Sequence, residues 1–175
     1  MRKATTAVLA AATLAATAFG AGTASADSRT ESGDLLVLST SGVLTTHDAD
    51  SPRRIKERTR ITGLARGDYL IGIDVRPATG VLYAMSAKGR LYTVNADSGR
   101  ATAVGTPTAL NGRAIGFDFN PTVDRIRLVT SQGQNLRLVP DTGALAATDG
   151  PLAYAGTDPA AGSTPRVAAA GYTNS

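Results

Sequence analysis

Two aspartates at matching places in a repeated segment hold the most chemical potential in this chain. Asp74 lies in Leu70-Ile71-Gly72-Ile73-Asp74-Val75-Arg76-Pro77, and Asp118 in Ala114-Ile115-Gly116-Phe117-Asp118-Phe119-Asn120-Pro121, 44 residues further on. If both strands line one channel, two carboxylates and the Asn120 amide oxygen form a hard-oxygen set of the kind calcium takes. Asp74, Asp118 and Asn120 are therefore the candidate metal ligands; the expectation is no cofactor, with calcium as the alternative. A metal-assisted hydrolase or lactonase would use such a site. The competing role is structural: an aspartate just ahead of a strand-ending proline can accept free backbone N–H groups.

Other chemistries are excluded by residue type. The chain has no Cys, so disulfide scaffolds and thiol chemistry are absent. Its single His47 cannot build a zinc site of the Cys/His kind. No Gly-x-Ser-x-Gly elbow accompanies that histidine, and its repeat position, equivalent to Val94, predicts an ordinary strand residue. Asp48-Ala49-Asp50 and Asn95-Ala96-Asp97-Ser98-Gly99 echo part of a calcium loop but lack its flanking helices and final Glu, so they read as hairpin turns. There is no phosphate-binding Gly-rich loop. With three Phe, five Tyr and no Trp, a stacking surface for single-stranded nucleic acid is not expected. The basic run Arg53-Arg54-Ile55-Lys56-Glu57-Arg58-Thr59-Arg60 reads as a solvated loop or edge strand.

The elements that would position the aspartates are short strands. The 44-residue shift that joins Asp74 to Asp118 also carries Gly89 to Gly133, Asp97 to Asp141 and Gly99 to Gly143. Each unit reads as four strands: 69–75 or 114–120, 81–86 or 125–130, 90–95 or 134–139, and a weaker 100–105 or 144–149. Alternation of Ile71, Ile73 and Val75 with Gly72, Asp74 and Arg76 gives the first strand two unlike faces. Pro77 and Pro121 end it, because proline has no N–H for a ladder. A partial copy comes earlier: Leu35 to Thr46 resembles Leu82 to Thr93 at a shift of 47.

The expected architecture is all-β: antiparallel four-stranded repeats of about 44 residues forming a partial, incomplete β-propeller. The repeat units are 35–64, 69–106 and 114–154, followed by a final inner strand at 167–173. Residues 1–26 read as a secretory signal peptide, with Arg2 and Lys3, an apolar run from Ala7 to Ala18, and the small pair Ala24 and Ala26 at the cleavage site. Residues 27–33 are a flexible mature N-terminus and 34–175 the domain. Cleavage removes two cations and no acid, which weakens any argument for a nucleic-acid partner from the pI of 9.8. The expected location is extracellular or in the cell envelope, with no membrane span after cleavage.

The strands also carry a family resemblance. The segments Leu70 to Gly80, Gly89-Arg90-Leu91-Tyr92, Gly116 to Arg127, Gly133-Gln134-Asn135-Leu136-Arg137 and Ala170-Gly171-Tyr172-Thr173-Asn174-Ser175 resemble the secreted bacterial domain-of-unknown-function family 4394. The resemblance covers the chain from about residue 34. It implies a β-propeller-like fold and export. It also implies further strand repeats beyond the last motif, so the chain reads as shortened at its C-terminal end. It assigns no catalytic residue. The functional expectation is an exported non-catalytic binding or scaffold module for a ligand or protein partner, with self-association through the open last unit. The alternatives are the metal-assisted hydrolase using Asp74 and Asp118, and a fragment without independent function.

Overall fold

A computed structural model describes residues 33–173. Residues 1–32, on which the expected signal peptide and most of the expected N-terminal segment 27–33 fall, and Asn174 with Ser175 lie outside the described residues. Eleven strands and no helix are found among them. They form three separate antiparallel sheets. The first sheet is β1 (Asp34–Leu38), β2 (Val43–Asp48) and β3 (Ile55–Arg60), in that order. The middle sheet is β4 (Leu70–Val75), β5 (Leu82–Ser86), β6 (Leu91–Val94) and β7 (Ala101–Val104). The third is β8 (Ala114–Asn120), β9 (Arg125–Thr130), β10 (Asn135–Leu138) and β11 (Leu145–Thr148). The expected strands of the two full units are thus present within a residue or so. The basic run becomes β3, an exposed edge strand.

The sheets stack face to face, and the repeat dictates how. Leu36, Leu38 and Leu44 of the first sheet share a core with Ile73, Val75, Leu82, Ala84, Tyr92 and Val94 of the middle one. Tyr83, Met85 and Leu91, on the opposite face of the middle sheet, share a second core with Phe117, Phe119, Ile126, Leu128, Leu136 and Leu138. These six are the 44-residue equivalents of Ile73 to Val94, and Tyr83, Met85 and Leu91 are the 47-residue equivalents of the three leucines. One interface is therefore built twice from the same positions. Period-2 alternation sends odd and even residues of β5 into different cores, which is why all five residues of that strand are buried. Aromatic edge contacts finish the second core, with Tyr83 and Phe119 ring centroids 5.2 Å apart.

Glycine allows the sheets to approach. Gly99 has φ of +69°, and a Cβ there would collide with the carbonyl oxygen of Arg60 at the end of β3. The same contact is bonded on both sides: Thr62 N–H donates to Gly99 O and Ala101 N–H to Thr62 O, each at 2.9 Å.

The expected final strand at 167–173 is not found. That segment has no ladder. Its place explains why. A Cβ on Gly72 would touch Phe117, and one on Gly116 would meet Ala170. Asp74 Oδ2 accepts the Phe119 N–H at 2.7 Å, and Asp118 Oδ2 the Tyr172 N–H at 2.6 Å. The segment therefore lies on β8 as β8 lies on β4, offset by 53 residues. β8 gains its ladder from β9, whereas no described strand stands ready to pair with 167–173. At this offset Tyr172 stands at the place of Phe119, and Gly171 at the place of Asp118. Among the described residues no ladder or shared core joins the first sheet to the third, so no ring is closed.

Candidate functional site

The inner strands β4 and β8 bring Asp74 and Asp118 together as half-buried hydrogen-bonding neighbours. Asp74 accepts on both oxygens: Oδ1 from Val75 N–H at 2.8 Å and Oδ2 from Phe119 N–H at 2.7 Å. Asp118 accepts Tyr172 N–H on Oδ2 at 2.6 Å and has the Asp74 carboxyl as its side-chain neighbour. Burial pushes Asp74 up to about 7, and the Asp118 carboxyl beside it adds to the shift against the two amide donors. Burial also raises Asp118, opposed by the Tyr172 amide. Such a pair shares one proton and titrates as a unit. Asn120 does not join it: its Oδ1 accepts Thr122 N–H at 3.0 Å and Val123 N–H at 3.3 Å in its own turn. Among the described residues no cluster of three or more His, Cys, Asp or Glu side chains is placed to hold a metal ion.

His47 lies in β2 and both ring nitrogens are engaged. Nδ1 is 2.6 Å from Pro52 O, which only accepts, so Nδ1 donates there; Nε2 lies 2.8 Å from Thr45 Oγ1. The two calcium-loop echoes are turns: Asp48 Oδ1 accepts Asp50 N–H, and Asn95 Oδ1 accepts Ser98 N–H.

Three polar features escaped the sequence. The first is Arg76, 9% exposed at the end of β4. It forks onto Asp124 (Nε to Oδ1, 2.8 Å; Nη2 to Oδ2, 2.5 Å) and reaches Asp141 with Nη1 at 2.6 Å. The guanidinium thus ties the middle sheet to two turns of the third, and it holds the Asp124 carboxyl below its usual range. Asp124 is the one described non-glycine residue with positive φ, +49°. The second is a network on the outer face of the third sheet. Arg127 Nη1 donates to Asp149 and to Asn135 Oδ1, Arg137 Nη2 donates to Asp149 at 2.8 Å, and Arg127 Nε donates to Tyr172 Oη at 2.9 Å. Arg127 and Asn135 occupy the places held by apolar Tyr83 and Leu91 one period earlier. The signal was present in the 44-residue alignment. The third is Asp68, whose Oδ2 is buried without a partner while Oδ1 accepts Tyr69 N–H.

Two hollows lie along the sheets. A cleft of about 620 Å³ opens between the first and middle sheets, with Asp34, Glu57, Asp97 and Arg100 along it. A cavity of about 440 Å³ lies where the ends of β1, β4 and β8 converge on Ala168. Among the described residues no helix is long and apolar enough to cross a membrane.

Stacked antiparallel sheets whose neighbouring inner strands are joined by an aspartate-to-amide bond define a repetitive all-β protein. The sequence matches the family described as domain of unknown function (DUF4394) over residues 43–175, and the chain belongs to that family. No curated protein matches it.

Proposed function

We propose that this protein is an exported, non-catalytic, propeller-like binding module. The observation that carries this reading is the employment of the aspartate pair. Three of its four carboxylate oxygens accept backbone amides, two of them from the next element in the stack. A group so engaged is a structural joint between inner strands, and its raised affinity for a proton opposes the double negative charge that a cation site needs. The propeller-like character is supported by the twice-built sheet interface and the shared inner-strand device. Export is supported by the composition of residues 1–26.

The second reading, a metal-assisted hydrolase, also rests on this pair, because two adjacent half-buried carboxyls are the start of a hard-cation site. Calcium separates the two. Titration with calcium chloride at pH 7.5 is expected to leave the thermal midpoint within about 1 °C, and metal analysis of protein from its native medium to find less than a tenth of an equivalent. A calcium-dependent rise of several degrees that disappears in Asp118→Asn would replace the binding-module reading with the metal-site reading.

A further inference from the structure

We propose that the 440 Å³ cavity at the convergence of the inner strands binds a small amphipathic monoanion, a medium-chain carboxylate being its simplest form. The inference deepens the binding-module reading by naming its site and ligand class. The cavity is made by a repeated irregularity. In the middle sheet Leu70 pairs with Ser86 and Gly72 with Met85, which leaves Ile71 unpaired; in the third, Ala114 pairs with Thr130 and Gly116 with Val129, which leaves Ile115 unpaired. Bulges of this kind re-aim a side chain. Both bulged isoleucines line the same cavity. The 53-residue offset that sets Phe117 against Ala170 and Phe119 against Tyr172 carries Ile115 onto Ala168, which lines the cavity as well. Three equivalent positions thus converge, and the third is alanine where the others are isoleucine. The missing side chain leaves room.

The remaining lining decides the ligand. Leu38, Leu70 and Ala114 continue the apolar wall. Ser39, Thr40, Tyr69 and Arg113 supply the polar groups, and no acidic residue lines the space. Among the described residues the Arg113 guanidinium has no carboxylate partner, while its backbone is bonded to Ser131. An apolar wall with one unpaired cation at its rim fits an apolar tail ending in a single negative charge. A volume of this order holds a ligand of about 10–20 heavy atoms.

The probe is sodium decanoate, titrated into the mature chain and followed by amide NMR shifts and calorimetry, with decanol and decyltrimethylammonium as comparisons. Saturable binding at one site is expected, with decanoate preferred over the cation and shifts centred on residues 69–71 and 113–115. Arg113→Gln is expected to weaken decanoate about three- to fivefold and leave decanol unchanged, as a rim charge does. Ala168→Phe, at an exposed position, is expected to abolish binding of both while the thermal midpoint holds. The proposal is overturned by no saturable decanoate binding, or by binding that neither variant alters. That result leaves the calcium test of the broader reading untouched, and a positive calcium result leaves this one untouched.

Discussion

Replacing Asp118 with asparagine should stabilise this protein at neutral and alkaline pH. In the wild type the Asp74–Asp118 pair keeps a proton up to about pH 7, whereas unfolded aspartates release theirs near 4. Between those values the folded state binds more protons, so stability falls as pH rises. About three pH units at about 1.4 kcal/mol each set an upper bound near 4 kcal/mol, and partial exposure of the pair halves it to about 2 kcal/mol. Asparagine at 118 fits the observed bonds. Its carbonyl oxygen can accept the Tyr172 N–H, and its NH₂ can donate to Asp74, which then ionises with all its acceptors used. The assay is urea unfolding of both proteins at pH 4.5, 6 and 8. The wild type is expected to lose about 2 kcal/mol from the lowest to the highest pH, and Asp118→Asn clearly less, because the neighbouring carboxyl is gone while the burial of Asp74 remains. The depressed carboxyls Asp124 and Asp149 do not enter this window: their contribution is present above the unfolded value and lost only as pH falls below about 4. A wild-type stability that stays flat or rises from pH 4.5 to 8 would refute the reasoning.

Three further perturbations follow from the packing. Arg76→Gln strands Asp124 and Asp141 and should cost about 2–3 kcal/mol by denaturant melt, somewhat under a fully buried pair because Asp141 is largely exposed; a loss below 0.5 kcal/mol would show the clamp to be idle. Gly99→Ala combines a left-handed backbone with a collision against Arg60 O and should lower stability by more than about 1 kcal/mol; an unchanged midpoint would disprove the close approach. Arg127→Leu combined with Asn135→Leu gives the third sheet the outer-face pattern of the middle one and should produce concentration-dependent association in sedimentation velocity; a strictly monomeric variant would show that an apolar face alone does not recruit another copy.

The strands were legible because each is bounded by its own punctuation. Gly89, Gly133, Gly99 and Gly143 all take positive φ in the turns that the 44-residue shift marks. The alternation in Leu82 to Ser86 was legible too, though not that both faces would be covered. Asp74 and Asp118 were paired by register alone. What they do was not, because the amide each accepts from the neighbouring element belongs to a residue 45 or 54 positions away. Asn120 misled for a local reason: beside proline, an Asx turn with Thr122 and Val123 outcompetes a distant site. The Arg76 clamp was invisible for a different reason. Its repeat equivalents are Asn120 for the arginine and Gly80 for Asp124, so periodicity offers no echo of it. The segment 167–173 has the inner-strand sequence but lacks a neighbour to pair with, and strand character depends on that neighbour.

The sheet interface has a direction, and direction governs how such a gene can change length. The middle unit offers one apolar face backward to the first sheet and the other forward to the third, with the forward set of Tyr83, Met85 and Leu91 matched to the backward set that begins at Phe117. A tandem duplication of one period from Leu70 to Arg113 would place a Tyr83-type face against an Ile73-type face, two surfaces already shaped for such a meeting. The copy would also bring its own aspartate and its own receiving amide. Duplicating the third unit instead would press Arg127, Asn135 and Asp149 against phenylalanines. Growth by insertion in the middle is therefore open to this architecture, while extension by copying the charged unit is closed.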